Sequence, residues 1–379
     1  MKVVIMIDSF KGSLSSLEAG NIIKDEILKL NSNEEIYVLP ISDGGEGTVD
    51  SMSELRDSKL CQVLVEDPLF DQTKAQYVMV EDKNLAIMEM SQAAGLVLIK
   101  DKLSPLKAST YGVGTMIKDA MDKGIRNFII GIGGSATNDG GIGMLEALGF
   151  SFVNKNGEDL FPSNEAIEFL DKIDISQADP RLKDCTFSIA CDVDNPLTGT
   201  SGSAAVYGPQ KGASPDQVEI IDRNLSTFHQ KTLEVISHAD DSYPGVGAAG
   251  GLGYAFKNYL NADLSPGIEI ILDLINAKDI IKDADLLITG EGKIDFQTSM
   301  GKAPTGVAKL AKTYGVNVIA FAGIVDNDAI EVNHHGIDAF FPILDKITSI
   351  EEAMGVKKAE ENLRRCVNQV FRLIYLYKK

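Results

Sequence analysis

Four glycine-rich segments of the chain carry residue types that bind small anions. They span 42–47, 131–141, 245–253 and 290–295, and most contain Asp, Asn, Ser or Lys among the glycines. Glycine lets backbone N–H groups approach a ligand closely, and α/β sheets bind ligands at the carboxyl ends of their strands. One such segment is commonly a turn, but four of them near apolar stretches indicate a binding site.

Lysines directly beside a glycine recur along the chain. The net charge is −19, from 36 Lys and Arg against 55 Asp and Glu, so the overall field repels anions. A site for an anion must therefore be built from local cations and backbone N–H groups. Solvated surface lysines are the alternative explanation. The lysines concerned are Lys11, Lys211, Lys293 and Lys302.

A pair of carboxylates, Asp192 and Asp194, directly follows an apolar stretch. In extended backbone, side chains at i and i+2 point to the same side. Such a pair at a strand end could bind Mg²⁺ or act on a substrate hydroxyl, and phosphoryl transfer requires both functions. An Asx-rich turn explains the same residues equally well. Glu291 and Asp295 flank Lys293 in a similar way.

Two nucleotide-binding motifs are relevant to this sequence, the Walker-type phosphate loop and the dinucleotide-binding pattern. The chain has no G-x-x-x-x-G-K-[ST] sequence, which excludes a Walker-type phosphate loop. Residues 131–136 (GIGGSA) fit the G-x-G-x-x-[GA] pattern of dinucleotide sites. However, the next candidate strand, 150–154, ends in Asn154 and not in the acidic residue that binds the ribose. A dinucleotide site is therefore the weaker alternative.

Composition excludes several other classes of protein. The acidic balance argues against broad binding to nucleic acid or to an anionic membrane. Apolar stretches are far shorter than the roughly 20 residues of a membrane span, and the N-terminus lacks a signal-peptide core. The four cysteines and four histidines show no metal-binding spacing. We expect a cytoplasmic protein, and its 379 residues suggest two domains.

Both ends of the chain alternate between strand and helix. Apolar runs at 3–7, 35–39, 285–289, 316–322 and 339–344 predict five strands. Capping sequences that begin at Ser15 and Ser349 predict a helix after the first strand and a last helix near the C-terminus. Strands separated by helices imply right-handed crossovers and a doubly wound sheet, for which five strands suit a flavodoxin-like (Rossmann-like) order.

The middle of the chain has a different pattern. Stretches at 62–66 and 76–90, broken at 81–84, predict an antiparallel hairpin, and further strands are predicted at 127–132 and 186–191. We therefore expect an α/β protein with two domains. One is a discontinuous flavodoxin-like domain, 1–60 plus 281–379, and the other is an inserted mixed-sheet α/β domain, 61–280.

Six short motifs carry most of the residues discussed above. They are 8–13 (DSFKGS), 42–47 (SDGGEG), 133–141 (GGSATNDGG), 191–197 (CDVDNPL), 207–213 (YGPQKGA) and 289–295 (TGEGKID). Together they closely resemble the motifs of the bacterial glycerate kinase family, the kind with two α/β domains. The resemblance implies ATP-dependent phosphorylation of D-glycerate, with 2-phosphoglycerate as the favoured product and the site in the cleft between the domains.

Roles in this reaction can be predicted from residue type and position. Asp192 is predicted to orient or deprotonate the glycerate hydroxyl, and Lys11 and Lys211 to neutralise the phosphates and the substrate carboxylate. ATP and Mg²⁺ are the expected cofactors, with Asp194 and Asp295 as candidate metal ligands. Further binding groups are predicted at Ser9, Asp43, Gly44, Gly45, Gly133, Gly134, Ser135, Thr137, Asn138, Glu291 and Lys293.

Two other functions stay open on the sequence alone. One is a nucleotide- or dinucleotide-dependent oxidoreductase acting on a small hydroxy acid, and the other is a two-lobed binding protein without catalysis. The expected partners are small molecules, with neither nucleic acid nor membrane. A homodimer is one expectation for the oligomeric state, which the sequence leaves open together with the position of phosphorylation and the nucleotide preference.

Overall fold

The computed structural model of the protein describes residues 1–55, 57–299 and 301–377. The strands are β1 Lys2–Ile5, β2 Glu35–Val38, β3 Ser58–Glu66, β4 Gln72–Val80, β5 Leu85–Glu89, β6 Asn127–Gly131, β7 Ser151–Val153, β8 Lys172–Asp174, β9 Thr186–Ala190, β10 Asp263–Ser265, β11 Leu286–Ile294, β12 Asn317–Val325 and β13 Ala339–Pro342.

Helices separate most of these strands. They are α1 Ser16–Leu30, α2 Thr48–Ser53, α3 Ser91–Ala94, α4 Tyr111–Asp122, α5 Ile142–Ala147, α6 Ser203–Tyr207, α7 Pro215–Val235, α8 Ala248–Leu260, α9 Gly267–Leu274, α10 Ala277–Ile281, α11 Phe296–Ser299, α12 Ala303–Thr313, α13 Ile350–Met354 and α14 Val356–Tyr377. Among the described residues, no helix is both long enough and apolar enough to cross a bilayer.

The chain folds as two compact units, each built from more than one segment. Unit 1 comprises Met1–Asp43, Asp50–Leu55 and Pro266–Lys379. Unit 2 comprises Gly44–Val49 and Arg56–Ser265. The chain therefore passes to unit 2 for the six residues 44–49 before it returns briefly to unit 1.

Unit 1 contains a five-stranded parallel sheet in the order β13-β12-β11-β1-β2. Counted within the unit, this is the flavodoxin-like order 2-1-3-4-5, so the predicted doubly wound fold is confirmed. Alternate residues of β1 enter two separate apolar clusters. Val3 and Ile5 pack with residues of α1 and α14, whereas Val4 and Met6 pack with residues of α9 and α12. Burial on both faces explains the continuous apolar run of this strand.

Capping at the start of α1 follows the sequence signal. The Ser15 side chain accepts the Glu18 N–H, and the Glu18 carboxylate accepts the Ser15 N–H, which is the predicted capping box. Ser16, the first residue of α1, donates its hydroxyl to the carbonyl of Ile7 at 2.6 Å and accepts the Ile41 N–H. Ser16 therefore joins the chain segments that follow β1 and β2.

Two boundaries in unit 1 differ from the prediction. The segment 290–295 is not a loop, because β11 continues to Ile294 and pairs with β12 as far as Ile294↔Val325. The predicted last helix is two helices. Ser349 caps α13, which ends at Met354, and Gly355 departs from helical geometry with a φ of −59° and a ψ of 121° before α14 begins. Both differences arise from pairing or backbone geometry that lies beyond the local sequence pattern.

Unit 2 contains a six-stranded mixed sheet in the order β10-β9-β6-β5-β4-β3. Strands β10, β9, β6 and β5 are parallel, and β5, β4 and β3 are antiparallel to one another in turn, which confirms the predicted hairpin region. A capping box at Ser214 begins α7, also as predicted. A continuous apolar core packs α4, α5, α7 and α8 against this sheet.

Candidate functional site

The carboxyl ends of β1 and β11 in unit 1 lie where the chain order of the sheet reverses. Doubly wound sheets bind ligands at such a point. Asp8 follows β1 there, and its N–H donates to the carbonyl of Gly290 at 2.9 Å. Gly290 has a φ of +151°, and a Cβ at this position would lie 1.9 Å from the carbonyl oxygen of Phe321. Only glycine fits this close approach of strands.

Asp8, Asp43 and Glu291 form a carboxylate cluster at this point. Burial raises the pKa of Asp8 to about 8, and repulsion from Asp43 and Glu291 adds to the effect. The Ser9 N–H, which donates to Asp8 Oδ1 at 2.7 Å, and Lys302 lower the pKa of Asp8. Burial likewise raises the pKa of Glu291 to about 7. Carboxyl groups that hold protons near neutral pH are typical of functional sites.

Glu291 and Asp295 share a hydrogen-bond partner. The Thr298 hydroxyl donates to Glu291 Oε1 at 2.5 Å and accepts the Asp295 N–H at 3.1 Å. Burial alone would raise the pKa of Asp295, but its bond with Lys293 helps to hold that pKa below the ordinary value. Lys293 Nζ lies 3.2 Å from Asp295 Oδ2 and 2.7 Å from Asp326 Oδ2. The predicted binding residue Lys293 is thus engaged with two carboxylates.

A tight turn directly after Asp8 presents Lys11. The Ser13 N–H donates to the carbonyl of Phe10 at 2.7 Å, and Gly12 takes a φ of +76° in between. Lys11 is exposed on this turn, whereas Ser9 is partly buried. The structure therefore brings together four predicted residues of unit 1, namely Ser9, Asp43, Glu291 and Asp295, with a lysine-bearing turn.

The parallel strands of unit 2 bring a second group of predicted residues to one sheet edge. Glu89, at the end of β5, is in register with Gly131 of β6, and Gly131 is in register with Ala190 of β9. Gly133 and Asp192 each lie two residues beyond this level, after the ends of these neighbouring strands. Since adjacent strands are about 4.8 Å apart, the glycine-rich loop and the segment with Asp192 begin side by side.

Glu89 holds the segment 44–49 against this edge. Its Oε1 accepts the N–H groups of Gly47 at 3.1 Å and Val49 at 2.7 Å, and its side chain is almost fully buried. A Cβ on Gly131 would lie 1.9 Å from the carbonyl oxygen of Gly44, so the loop and the strand end touch backbone to backbone. The predicted residues Gly44 and Gly45 therefore belong to the edge of unit 2.

Asp139 organises the interior of the glycine-rich loop. Its fully buried carboxylate accepts the Thr110 N–H and hydroxyl and the N–H groups of Gly141 and Gly143. Burial raises the pKa of Asp139 despite these bonds. At the other end of the loop, Gly133 and Gly134 are exposed. Gly133 and Gly134 are thus exposed to solvent, whereas the other end of the loop is held by the buried carboxylate of Asp139.

Other predicted loop residues face inward. Ser135, Thr137 and Asn138 are buried, and Asn138 Nδ2 donates to the carbonyl of Pro105 at 3.1 Å. Within the described part of the chain, Thr137 Oγ1 and Asn138 Oδ1 have no hydrogen-bond partner. Their side chains are therefore placed to support the loop, and Gly133 and Gly134 are the positions that face outward.

Lys211 is buried beneath the same loop. Its side chain is only 1% exposed, and Nζ donates to the carbonyl of Thr137 at 2.6 Å. Burial lowers the pKa of Lys211 to about 7, although attraction to Asp139 opposes this. The structure therefore places this predicted catalytic residue where it contacts the loop backbone.

Asp192 and Asp194 are both exposed on the segment that follows β9. Asn195 anchors this segment, because its Oδ1 accepts the Tyr207 hydroxyl at 2.5 Å and its Nδ2 donates to the carbonyl of Ser201 at 2.8 Å. The two carboxylates are thus presented on a fixed stretch of backbone beside the glycine-rich loop.

Carboxylate oxygens are the candidate metal donors of the site. The described ranges contain no group of three or more His, Cys, Asp or Glu side chains placed to hold a metal ion. The predicted ligands Asp194 and Asp295 belong to different units. Mg²⁺ commonly takes one or two carboxylates and completes its shell with water and substrate phosphate. Either carboxylate taken singly therefore has the oxygen donors for a Mg²⁺ ion that is bound with a phosphate ligand.

Comparison with known proteins identifies the family. The family model described as "Glycerate kinase family" matches residues 3–375. The chain belongs to the glycerate kinase family. It is 43% identical over 379 residues to a glycerate kinase of Bacillus subtilis, covering 100% of this chain and 99% of the relative. It is 40% identical over 371 residues to the glycerate 2-kinase of Escherichia coli, covering 98% and 97%.

A solved structure agrees with this assignment. A crystal structure from Salmonella typhimurium LT2, assigned as a glycerate kinase 2, matches with a TM-score of 0.91 at 40% identity and covers 99% of this chain and 98% of that one. The resemblance inferred from the six motifs is therefore confirmed. The dinucleotide alternative also loses support from the fold, because α5 begins at Ile142 and not directly after the G-x-G-x-x-[GA] segment.

Three residues of this glycerate kinase's candidate site were not among the predicted site residues. Asp8 takes part in the electrostatics of the carboxylate cluster, and Glu89 and Asp139 hold the glycine-rich edge of unit 2. Lys302, noted in the sequence only as a lysine beside a glycine, also acts on this cluster. Asp8 and Glu89 carried a usable signal, since each lies at or just after the end of a buried strand. Asp139 gave none, because its importance depends on which groups surround it after folding.

Proposed function

We propose that this glycerate kinase uses ATP to phosphorylate the 2-hydroxyl of D-glycerate, giving 2-phosphoglycerate and ADP. The observation that carries the proposal is the match to the glycerate kinase family over residues 3–375. The Escherichia coli relative is a glycerate 2-kinase, which supports the 2-position. Each unit has a strand-end site, one acidic and one glycine-rich, with groups of the kind that such a transfer requires.

Groups of unit 2 are assigned to the acceptor and to the transferred phosphoryl. The carboxylate of Asp192 takes the proton of the 2-hydroxyl, and the hydroxyl oxygen bonds to the γ-phosphorus. The bond from that phosphorus to the β,γ-bridging oxygen breaks, and ADP leaves with the electron pair. The exposed backbone at Gly133 and Gly134 donates N–H groups to the equatorial oxygens, where charge is spread in a loose transition state.

Groups of unit 1 are assigned to ATP. Lys11 on its turn and Lys302 near the cluster neutralise phosphate charge, with the Ser9 segment donating hydrogen bonds. Mg²⁺ bound with ATP would neutralise phosphate charge, and Asp194 or Asp295 is the proposed carboxylate ligand. Asp8, Asp43 and Glu291 repel one another, and a cationic group of the bound nucleotide complex near them would relieve this repulsion.

The role proposed for Lys211 differs from the one predicted from the sequence. An amine that is buried and bonded to the Thr137 carbonyl supports the glycine-rich loop from below. Lys211 is therefore proposed as a positioning residue that holds the N–H donors of the loop in place. The contact between Lys211 and the loop matters because preorganised hydrogen-bond donors stabilise a transition state more than mobile ones do.

The test is a product analysis. Purified protein is incubated with D-glycerate and ATP-Mg²⁺, and phosphorus NMR resolves 2-phosphoglycerate from 3-phosphoglycerate. The 2-isomer is expected. Formation of the 3-isomer would refute the assigned position, and absence of any phosphoglycerate would refute the proposed function. Omitting Mg²⁺ and adding EDTA should abolish turnover if the cation is required.

The role of Asp192 has its own test. Asp192→Asn is expected to lower kcat by about 100-fold or more, within the range for loss of a general base. Asp184→Asn, which changes an exposed carboxylate of the same unit, is the matched control and should leave kcat unchanged. If Asp192→Asn keeps near wild-type kcat while Asp295→Asn abolishes turnover, the base has been assigned wrongly.

A cytoplasmic location and a homodimeric state complete the proposal. The homodimeric state can be tested by light scattering.

A further inference from the structure

A small pocket lies at the carboxyl end of the unit 1 sheet, between the turn after β1 and the ends of β11 and β12. Its volume is about 80 Å³. Most of its lining is apolar, and the polar members are a lysine and a serine. The lining includes Phe10, Ile324, Ile343, Met354, Lys11 and Ser13.

Two glycines give this pocket a flat floor of main chain. Gly292 of β11 and Gly323 of β12 both line it. A Cβ on Gly323 would lie only 2.5 Å from the carbonyl oxygen of Gly292, so the two strand backbones approach too closely for a side chain. A planar ring can lie against such a surface with apolar side chains around it.

Polar groups at the rim remain available to a ligand. β12 extends through Gly323–Val325, three residues beyond its last register pair with β13, Ala322↔Pro342. The main chain on that side of β12 is therefore not covered by β13. The Ser13 hydroxyl is also buried and has no hydrogen-bond partner within the described residues. A heteroaromatic ring with donor and acceptor atoms on its edge would satisfy both features.

The pocket is continuous in sequence with the carboxylate cluster. Phe10 comes two residues after Asp8, and Gly292 directly follows Glu291. Lys11, exposed on the turn between, is a cation placed to meet phosphate. A ligand with a ring in the pocket would thus direct an attached phosphate chain toward the switch point of the sheet, where nucleotides bind in doubly wound folds.

We propose that this pocket binds the adenine base of ATP. The inference rests on the proposed function for the identity of the nucleotide, and it adds the location of the base and the residues that recognise it. Phe10, Ile324 and Met354 would enclose the ring, the Gly323–Val325 edge and Ser13 would pair with its polar atoms, and Lys11 would contact the phosphates.

The test is a substitution that places an aromatic side chain in the pocket. In Ile324→Trp, the indole would occupy the space of the base, so KM for ATP is expected to rise about tenfold or more while KM for D-glycerate changes less than about twofold. Ile330→Trp is the matched control, because Ile330 is an exposed isoleucine of the same unit outside the pocket lining. The control should resemble the wild type in both constants.

A binding measurement separates this inference from the proposed function. By calorimetry, wild-type protein is expected to bind ATP about tenfold more tightly than inorganic tripolyphosphate, and Ile324→Trp should reduce this preference to less than about threefold. A preserved preference would place the base elsewhere and overturn the inference. This readout holds even if no phosphoglycerate forms. Should Ile324→Trp fail to fold, Met354→Gln, which adds little bulk at an exposed position, must still weaken the binding of ATP but not that of tripolyphosphate.

Discussion

Replacing Asp8 by Asn should stabilise the protein, and the gain should increase with pH. In the folded state burial raises the pKa of Asp8 from an ordinary value of 3.8 to about 8. Between these values the folded protein holds one proton that the unfolded chain has lost. Unfolding therefore releases a proton, and wild-type stability falls as the pH rises.

The size of the effect follows from this single proton. Each pH unit within the window changes the free energy of unfolding by about 1.4 kcal/mol. From pH 5 to pH 7, both inside the window, the wild type should lose up to about 2.7 kcal/mol that Asp8→Asn does not lose. Repulsion from Asp43 and Glu291 is part of the cause, so the variant also relieves its neighbours.

Urea unfolding followed by far-UV circular dichroism at several pH values measures this difference. EDTA is included, because a bound cation would lower the pKa of Asp8. Asp328→Asn, which alters an exposed carboxylate of the same unit, is the control. If the stability difference between Asp8→Asn and wild type is flat or decreases from pH 5 to pH 7, Asp8 is not a buried protonated carboxyl and the reasoning is wrong.

Two further predictions concern buried groups. Lys211 has its pKa lowered by burial from 10.5 to about 7, so the unfolded chain holds the extra proton above pH 7 and wild-type stability should rise with pH there. Lys211→Met should remove this rise, which amounts to about 1.4 kcal/mol between pH 7.5 and 8.5 in urea unfolding. The same variant should also lower kcat/KM. An unchanged pH dependence of stability would contradict the burial of the amine. Gly290→Ala should lower the free energy of unfolding by more than about 3 kcal/mol, because its Cβ would lie 1.9 Å from the Phe321 carbonyl oxygen. Gly315→Ala, with open space around it, should lower it by about 1 kcal/mol. Equal shifts in the thermal unfolding of the two variants would count against the close strand approach.

The scaffold could be predicted from the sequence because its signals are local. The apolar run of β1 marks a strand buried on both faces, and the Ser15 and Ser214 capping boxes mark the starts of α1 and α7. Five strands alternating with helices led to the observed sheet order. Each of these signals is contained within a few adjacent residues.

Features of the site that depend on distant partners could not be predicted. The glycines at 290 and 292 looked like a loop, but pairing with β12 extends β11 through them. Lys211 was predicted to neutralise the phosphates and the substrate carboxylate, and the sequence carried no sign that packing beneath the glycine-rich loop buries it. The raised pKa of Asp8 depends on burial and, beyond that, on Asp43 and Glu291, which are distant in sequence and converge only in the folded sheet.

The six residues Gly44–Val49 limit how this enzyme can be divided into fragments. A fragment that starts at residue 57 and ends at Ser265 would contain Glu89 but lack Gly47 and Val49, whose N–H groups Glu89 accepts. Its buried carboxylate would then lose those two donors, and β6 would lose the backbone contact at Gly131. Any shortened version of unit 2 for crystallography, domain exchange or recombination should therefore supply these residues again, for example as a fused or added peptide.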